Sequence, residues 1–167
     1  MNRFLALPRS VRVSLFYWAL ISLSTLTLNL LTTRYLWCAY PILGVLWWPL
    51  SAYFKGRKQP LLFALCGAGL VTATFFIAYL ISSPGAHPWY VYPLLGVFWW
   101  PLSVWGRTAG ARKFSVVAAQ YVILTVLTIN MITSPGYWWW LFPAALVIWW
   151  PLILHFPRLR RKEGDEE

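Results

Sequence analysis

One sequence motif occurs three times, and this repetition limits the possible folds more than any other feature. The middle copy, residues 89–102, reads WYVYPLLGVFWWPL, and the first copy, residues 37–50, reads WCAYPILGVLWWPL. The third copy runs from Trp139 to Leu152, so the copies are 52 and 50 residues apart. A fixed period of this length indicates one supersecondary unit used repeatedly, which needs its neighbours to bury its faces. The motif residues are Trp37, Pro41, Trp47, Trp48 and Pro49, then Trp89, Pro93, Trp99, Trp100 and Pro101, then Trp139, Pro143, Trp149, Trp150 and Pro151.

The composition indicates a membrane protein. Hydrophobic residues make up 60% of the chain and charged residues 11%, whereas a soluble domain has about 25% charged residues. Six apolar stretches each approach the ~20 residues that cross a bilayer as a helix. They are Val13–Leu31, Leu36–Phe54, Leu61–Ser82, Trp89–Trp105, Phe114–Ile132 and Trp138–Phe156. We therefore expect an all-α integral membrane protein with six transmembrane helices.

The connections predict hairpins. Residues 32–35, 82–88 and 133–137 are short, and the last two contain Pro-Gly, which favours a sharp reversal. Two spans per repeat give all repeats the same orientation, so we expect three parallel hairpins in a pseudo-threefold arrangement about the membrane normal. The predicted segments are a basic leader (1–12), hairpin repeats at 13–58, 59–110 and 111–156, and a charged disordered tail (157–167).

The second helix of each hairpin contains a proline after two tryptophans. Pro49, Pro101 and Pro151 each deny a hydrogen bond to the carbonyl four residues earlier, which predicts a bend near the inner end of the helix. The two preceding indoles point about 100° apart. We therefore expect one to pack against a neighbouring hairpin and the other to meet lipid. A cage for a cationic ligand is the alternative use of such rings.

The net charge of +10 follows the predicted topology. Of the 14 basic residues, only Arg34 falls on the side of the short outer turns. We therefore expect a multi-pass protein of the bacterial plasma membrane with both termini in the cytoplasm. Charges distributed in this way do not form the single basic face of a nucleic-acid-binding protein. Anionic lipids on the cytoplasmic face are the expected partners, although topology alone also explains the clusters. The cluster assigned to lipid contact is Arg158, Arg160, Arg161 and Lys162.

Polar residues recur at helical spacing within the first spans of the hairpins. Such a face provides hydrogen bonds between helices or lines a narrow polar path, and both uses stay open. The candidate residues are Ser22, Thr25, Asn29 and Thr32 in the first span, Tyr79 and Ser82 in the third, and Thr128, Asn130 and Thr133 in the fifth.

The residues that catalysis requires are scarce. All four acidic residues lie in the tail, beyond residue 162, and neither a proton pathway nor a hydrolase site can be assembled from what remains. His87 and His155 fall at opposite ends of the predicted bundle, so they cannot be the two axial ligands of one haem. We expect no enzyme activity, catalytic residues, metal or cofactor. The expected function is a partner-binding or accessory membrane module, with another membrane protein as its partner. The alternative is a small channel or transporter for a neutral or anionic solute.

The third repeat resembles the bacterial two-transmembrane domain family. The resemblance is carried by Asn130, Thr133, a short turn, Trp138, Phe142-Pro143, the Trp149-Trp150 pair, Leu152 and His155. The first repeat matches through Asn29, Thr32, Trp37, Pro41, Gly44 and Trp48, whereas the middle repeat has Tyr79 and Ser82 at the Asn and Thr positions. The third repeat has Ala144 and Ala145 near the position of the family's Gly, and it alone has the terminal His. The resemblance implies a helical hairpin, found alone or attached to sensor proteins, without established chemistry.

Overall fold

The computed structural model describes residues 7–82, 85 and 87–155, and this part of the chain is all-helical, as predicted. Helices alternate in it between one long element and one or two short ones. The helices are α1 (Arg9–Thr32), α2 (Ala39–Val45), α3 (Trp47–Phe54), α4 (Pro60–Ser82), α5 (Val91–Val97), α6 (Trp99–Ala109), α7 (Ala111–Thr133) and α8 (Leu141–His155). No strand occurs among the described residues.

Three of these helices, α1, α4 and α7, are long and apolar enough to cross a membrane. They contain 24, 23 and 23 residues, which corresponds to about 35 Å of helix against a ~30 Å hydrocarbon layer. They match the first, third and fifth predicted spans. The structure therefore supports a membrane protein on the length and composition of three helices.

The three motif copies fold into shorter helices. The first copy is divided between α2 and α3 at Leu46, and the second between α5 and α6 at Phe98. Both dividing residues keep helical backbone angles, near φ −60° and ψ −20° at Leu46 and φ −68° and ψ −13° at Phe98. Each lies three residues before a proline that cannot donate a backbone hydrogen bond. The backbone thus remains helical at these two positions, although the proline removes one of the hydrogen bonds between successive turns.

The third copy behaves differently, because α8 runs through Pro151 without a division. Its 15 residues extend about 22 Å, which is short of the bilayer core. The three prolines are therefore not structurally equivalent, contrary to the expectation of three equal bends. Phe156, the predicted end of the sixth span, lies outside the described residues.

The chain divides into two compact units, Met1–Pro101 and Leu102–Glu167. The boundary falls within α6, whereas the sequence placed a boundary after residue 110. In the first unit α1 packs against α2 and α3, and α4 packs against α2, α3 and α5. In the second unit α7 packs along α8. The predicted leader is described only from residue 7, and the tail with Arg158, Arg160, Arg161 and Lys162 lies outside the described residues.

Small residues form the most buried positions of the three long helices. Ser14 in α1, Ala64 in α4 and Ser115 in α7 are each 0% exposed. Small side chains allow helix backbones to approach closely, which is how helices associate when lipid removes the hydrophobic driving force. The large apolar side chains of the same helices point outward, as shown by Leu30, which is 72% exposed, and Leu124, which is 60% exposed.

Candidate functional site

Asn29 fastens the turn that follows α1. Its amide Nδ2 donates hydrogen bonds to the carbonyl oxygens of Thr33 (3.3 Å) and Tyr35 (2.9 Å), and its Oδ1 accepts one from the backbone N–H of Cys38 (2.8 Å). The side chain is only 1% exposed. This buried amide uses both of its donors and one acceptor site on backbone groups, and losing any of these bonds would leave a buried polar group unsatisfied.

Asn130 repeats the two donor bonds of this arrangement after α7. Its Nδ2 donates to the carbonyl oxygens of Ser134 (3.0 Å) and Tyr137 (2.8 Å), and the side chain is 2% exposed. In both turns the backbone N–H four residues on also donates to the carbonyl of the asparagine, from Thr33 (3.0 Å) and from Ser134 (2.8 Å). The two asparagines thus stabilise equivalent turns in the two units.

The middle turn has no asparagine and uses aromatic contacts instead. The ring of Tyr79 lies 4.9 Å from that of Tyr90 and 6.5 Å from that of Trp89, measured between centroids. Phe75 and Phe76, one turn earlier, also meet Trp89 and Tyr90 edge to face. Ring packing therefore surrounds Tyr79, at the position where the first and third turns have an asparagine.

The hydroxyl groups proposed for a polar face bond mostly to their own helices. Each donates to a carbonyl one turn earlier, a common local pattern of Ser and Thr in helices. The donors and acceptors are Thr25 to Ile21 (2.9 Å) and Ser22 (3.1 Å), Thr32 to Leu28 (2.6 Å), Ser82 to Ala78 (2.6 Å), Thr128 to Leu124 (2.8 Å) and Thr133 to Ile129 (2.8 Å). These five residues are not brought together as a hydrogen-bonded site.

Two hydroxyls of the first unit are an exception. Oγ of Ser22 and Oγ1 of Thr72 are buried and have no hydrogen-bond partner among the described residues. Ser22 precedes Asn29 by seven residues in α1, and Thr72 precedes Tyr79 by seven residues in α4, so the two hydroxyls occupy matching positions. A buried unpaired hydroxyl is costly and needs a reason.

In the first two repeats, a second repeated contact joins the outer turn to the start of the following helix. Oη of Tyr35 lies 2.8 Å from Oη of Tyr40, and Nε2 of His87 lies 2.6 Å from Oη of Tyr92. The residues of the second pair follow those of the first by 52 positions. The third repeat has Phe142 at this position, so it cannot form the bond. These pairs were not among the residues predicted from the sequence, although the repeat period of 52 residues aligns Tyr35 with His87 and Tyr40 with Tyr92.

The second tryptophan of each motif packs against a ring on the long helix of the same repeat. The pairs and their centroid distances are Trp48 with Tyr17 of α1 (5.7 Å), Trp100 with Phe63 of α4 (5.6 Å), and Trp150 with Phe114 of α7 (5.8 Å). The first tryptophan, Trp47, contacts Phe63 (5.8 Å) and Trp100 (5.9 Å) of the next repeat instead.

Gly67 of α4 provides the space for this aromatic cluster. A Cβ atom at Gly67 would stand 2.7 Å from Cη2 of Trp100 and 3.0 Å from Cη2 of Trp47. Only a glycine therefore allows both indoles to approach the helix. The cluster is closed by protein on this side, which favours a packing role over a cage that admits a cation.

The described residues thus combine turns stabilised by asparagine side chains, hydroxyl groups bonded to their own helices, and aromatic packing. This arrangement is suited to holding helices together. The chain matches no protein-family model, no curated protein and no solved structure.

Proposed function

We propose that the protein is a non-catalytic membrane module that binds or supports a partner protein in the bacterial plasma membrane. It would cross the membrane six times as three parallel hairpins in a pseudo-threefold arrangement, with both termini in the cytoplasm. The observation that carries the proposal is the commitment of Asn29 and Asn130 to backbone groups of their own turns. Amides that lined a solute path would have N–H donors left for the solute, whereas the Nδ2 groups of both asparagines donate to carbonyl oxygens of their own turns.

The proposed six-span topology is supported by the repeated contacts. The same backbone hydrogen bond recurs after the first two long helices, with Trp37 donating to Tyr35 (2.9 Å) and Trp89 donating to His87 (2.7 Å). In the first unit, Arg9, Arg12, Lys55 and Arg57 border clefts at one end of the helices, whereas Arg34 follows the other end of α1. This separation of charge is typical of a hairpin with a cytoplasmic basic end. We also propose kinship with the two-transmembrane domain family, because its Asn is the residue that fastens the turn.

The surface available to a partner includes the outer side of α8. Large apolar residues there follow one another at intervals of three or four, which places them on one face of the helix. They are Phe142 (75% exposed), Leu146 (74%), Trp149 (61%) and Ile153 (62%). Such a stripe contacts lipid or the helix of a partner equally well.

A second candidate function, a path for a small neutral or anionic solute, is favoured by one observation. Ser22 and Thr72 hold buried hydroxyls that have no partner within the described part of the chain, and hydroxyls of this kind can be satisfied by a passing solute or by water. Thr25 and Asn29, by contrast, have no role left in such a path. We rank this function second for that reason.

A flux experiment separates the two functions. The protein would be reconstituted in liposomes, and the entry of glycerol, urea and chloride would be followed by light scattering and a chloride-sensitive dye. We expect the rates of empty liposomes. Flux above that level that is lost in Ser22→Ala and Thr72→Val would establish the transport function instead. These substitutions remove unpartnered hydroxyls, so they leave the fold intact, and Thr27→Val, at an exposed hydroxyl of α1, is the matched control.

A further inference from the structure

A cleft opens at the basic end of the first unit. It has a volume of about 610 Å³ and lies between the beginning of α1, the end of α3 and the beginning of α4. Its floor is largely apolar and includes Trp48, Ala52, Phe54, Pro60 and Phe63. Its rim is polar and includes Ser10, Ser51, Lys55, Arg57 and Gln59. The lining of the cleft therefore offers both cations with hydrogen-bond donors and an aromatic surface.

The rim is held in place by the turn between α3 and α4. Gly56 has φ +80°, a left-handed conformation that other residues rarely adopt. The backbone N–H of Arg57 donates to the carbonyl of Phe54 at 3.0 Å. The guanidinium carbon of Arg57 lies 3.9 Å from the centroid of the Tyr53 ring, within cation–π range. Arg57 thus lines the cleft from a defined turn, with its guanidinium held against the Tyr53 ring at the edge of the cleft lining.

The cations of the rim have no carboxylate to pair with in the described part of the chain. Residues 7–82, 85 and 87–155 contain neither Asp nor Glu, since all four acidic residues of the protein follow residue 162. An anion supplied from outside would complement the rim, and an apolar chain would complement the floor. A ligand that carries both parts and is present at a membrane surface is an anionic phospholipid.

We infer that this cleft binds one anionic phospholipid, with the phosphate at Lys55, Arg57 and the Gln59 amide and the first part of an acyl chain against Trp48 and Phe63. The inference goes beyond the proposed module function. It concerns a different place from the tail cluster at residues 158–162. It also needs only the cleft, so it can fail while the topology holds, or hold while the partner function fails.

The experiment is native mass spectrometry of the full chain, purified in detergent and mixed with equal amounts of phosphatidylglycerol and phosphatidylcholine bearing the same acyl chains. We expect one phosphatidylglycerol to be retained in preference to phosphatidylcholine. Each cation near an anionic lipid contributes roughly fivefold in affinity. The double variant Lys55→Gln and Arg57→Gln should therefore bind phosphatidylglycerol about 25-fold more weakly.

Two controls separate the cleft from general surface charge. The double variant Lys58→Gln and Arg107→Gln removes the same charge at residues that do not line the cleft, and it should retain the preference. Ala52→Leu fills the floor without changing the charge, and it should weaken binding of both lipids. A wild-type protein without preference, or an equal loss in both double variants, would overturn the inference.

Two further arms test other occupants of the cleft. Soluble glycerophosphoglycerol should not displace the lipid, because it lacks the acyl chain; full displacement would show a simple phosphate site and overturn the lipid inference. Neutralising Glu163, Asp165, Glu166 and Glu167 to Gln or Asn should leave binding unchanged. If phosphatidylglycerol binds only after that change, the acidic tail is the occupant and the inference is wrong.

Discussion

Trp100 packs against the bare backbone of Gly67, so that Cη2 of the indole would stand 2.7 Å from a Cβ atom added to that glycine. In an exposed helix, replacing Gly by Ala stabilises by up to about 1 kcal/mol. At Gly67 we expect the opposite sign, because the methyl group must displace two indole rings of a packed cluster. Gly67→Ala should lower the free energy of unfolding by about 1–3 kcal/mol, measured by denaturation in mixed micelles.

The same helix supplies the control for this prediction. Gly69 has open space where its Cβ would be, so Gly69→Ala should be neutral or stabilising by up to about 1 kcal/mol. The cost of combining Gly67→Ala with Trp100→Ala should be smaller than the sum of the two single costs, since the clash is removed together with the ring. Equal changes in the free energy of unfolding for Gly67→Ala and Gly69→Ala would show that the contact with Trp100 does not limit packing.

Asn29 is expected to be the most sensitive polar residue of the first unit. Asn29→Leu removes three hydrogen bonds to backbone groups, and unsatisfied buried groups each cost about 1–3 kcal/mol. We expect a loss of stability of at least about 2 kcal/mol, together with faster amide hydrogen exchange at Cys38. Thr32→Val, which removes an exposed hydroxyl bonded to its own helix, should change stability by less than about 0.5 kcal/mol. Unchanged exchange at Cys38 would argue against the fastening role.

The outer pairs of the first two repeats should be interchangeable. His87→Tyr places in the second repeat the Tyr–Tyr pair that the first repeat forms between Tyr35 and Tyr40, so exchange of the Trp89 amide should stay near that of the wild type. His87→Leu removes the bond to Tyr92 and should accelerate that exchange, with a cost near 1 kcal/mol. Acceleration of the same size in both variants would mean that the two turns are not alike.

Labelling at four positions tests the proposed number of spans. Single cysteines at Arg34, Lys58, Arg107 and Gly136, in a chain with Cys38 and Cys66 replaced by alanine, would be probed with an impermeant maleimide. Six spans place positions 34 and 136 outside and positions 58 and 107 inside. If only the long helices cross, positions 34 and 58 share one side, because α2 and α3 would return without crossing.

The helical class and the three long helices could be predicted from the sequence, because apolar length is a direct signal of a span. The sequence predicted a polar face on the first spans and left two uses for it open. Composition cannot distinguish an amide that faces a lumen from one that forms hydrogen bonds with the following turn. For Asn29, the difference depends on the path of the backbone through residues 33–38. The packing of Trp47 and Trp100 against Gly67 could not be predicted for a similar reason. The sequence does not indicate which side chains will contact a glycine in an apolar helix. Here the contacts come from two tryptophans in separate segments of the chain.

The matching burial of Ser14, Ala64 and Ser115 has a consequence for how the chain can change. Each of these residues precedes the residue that anchors the following turn, Asn29, Tyr79 or Asn130, by 15 positions. One inserted or deleted residue between the two would rotate the anchor by about 100° and pull it off its turn. Length changes in α1, α4 and α7 should therefore be poorly tolerated, while substitutions on their outward faces accumulate freely.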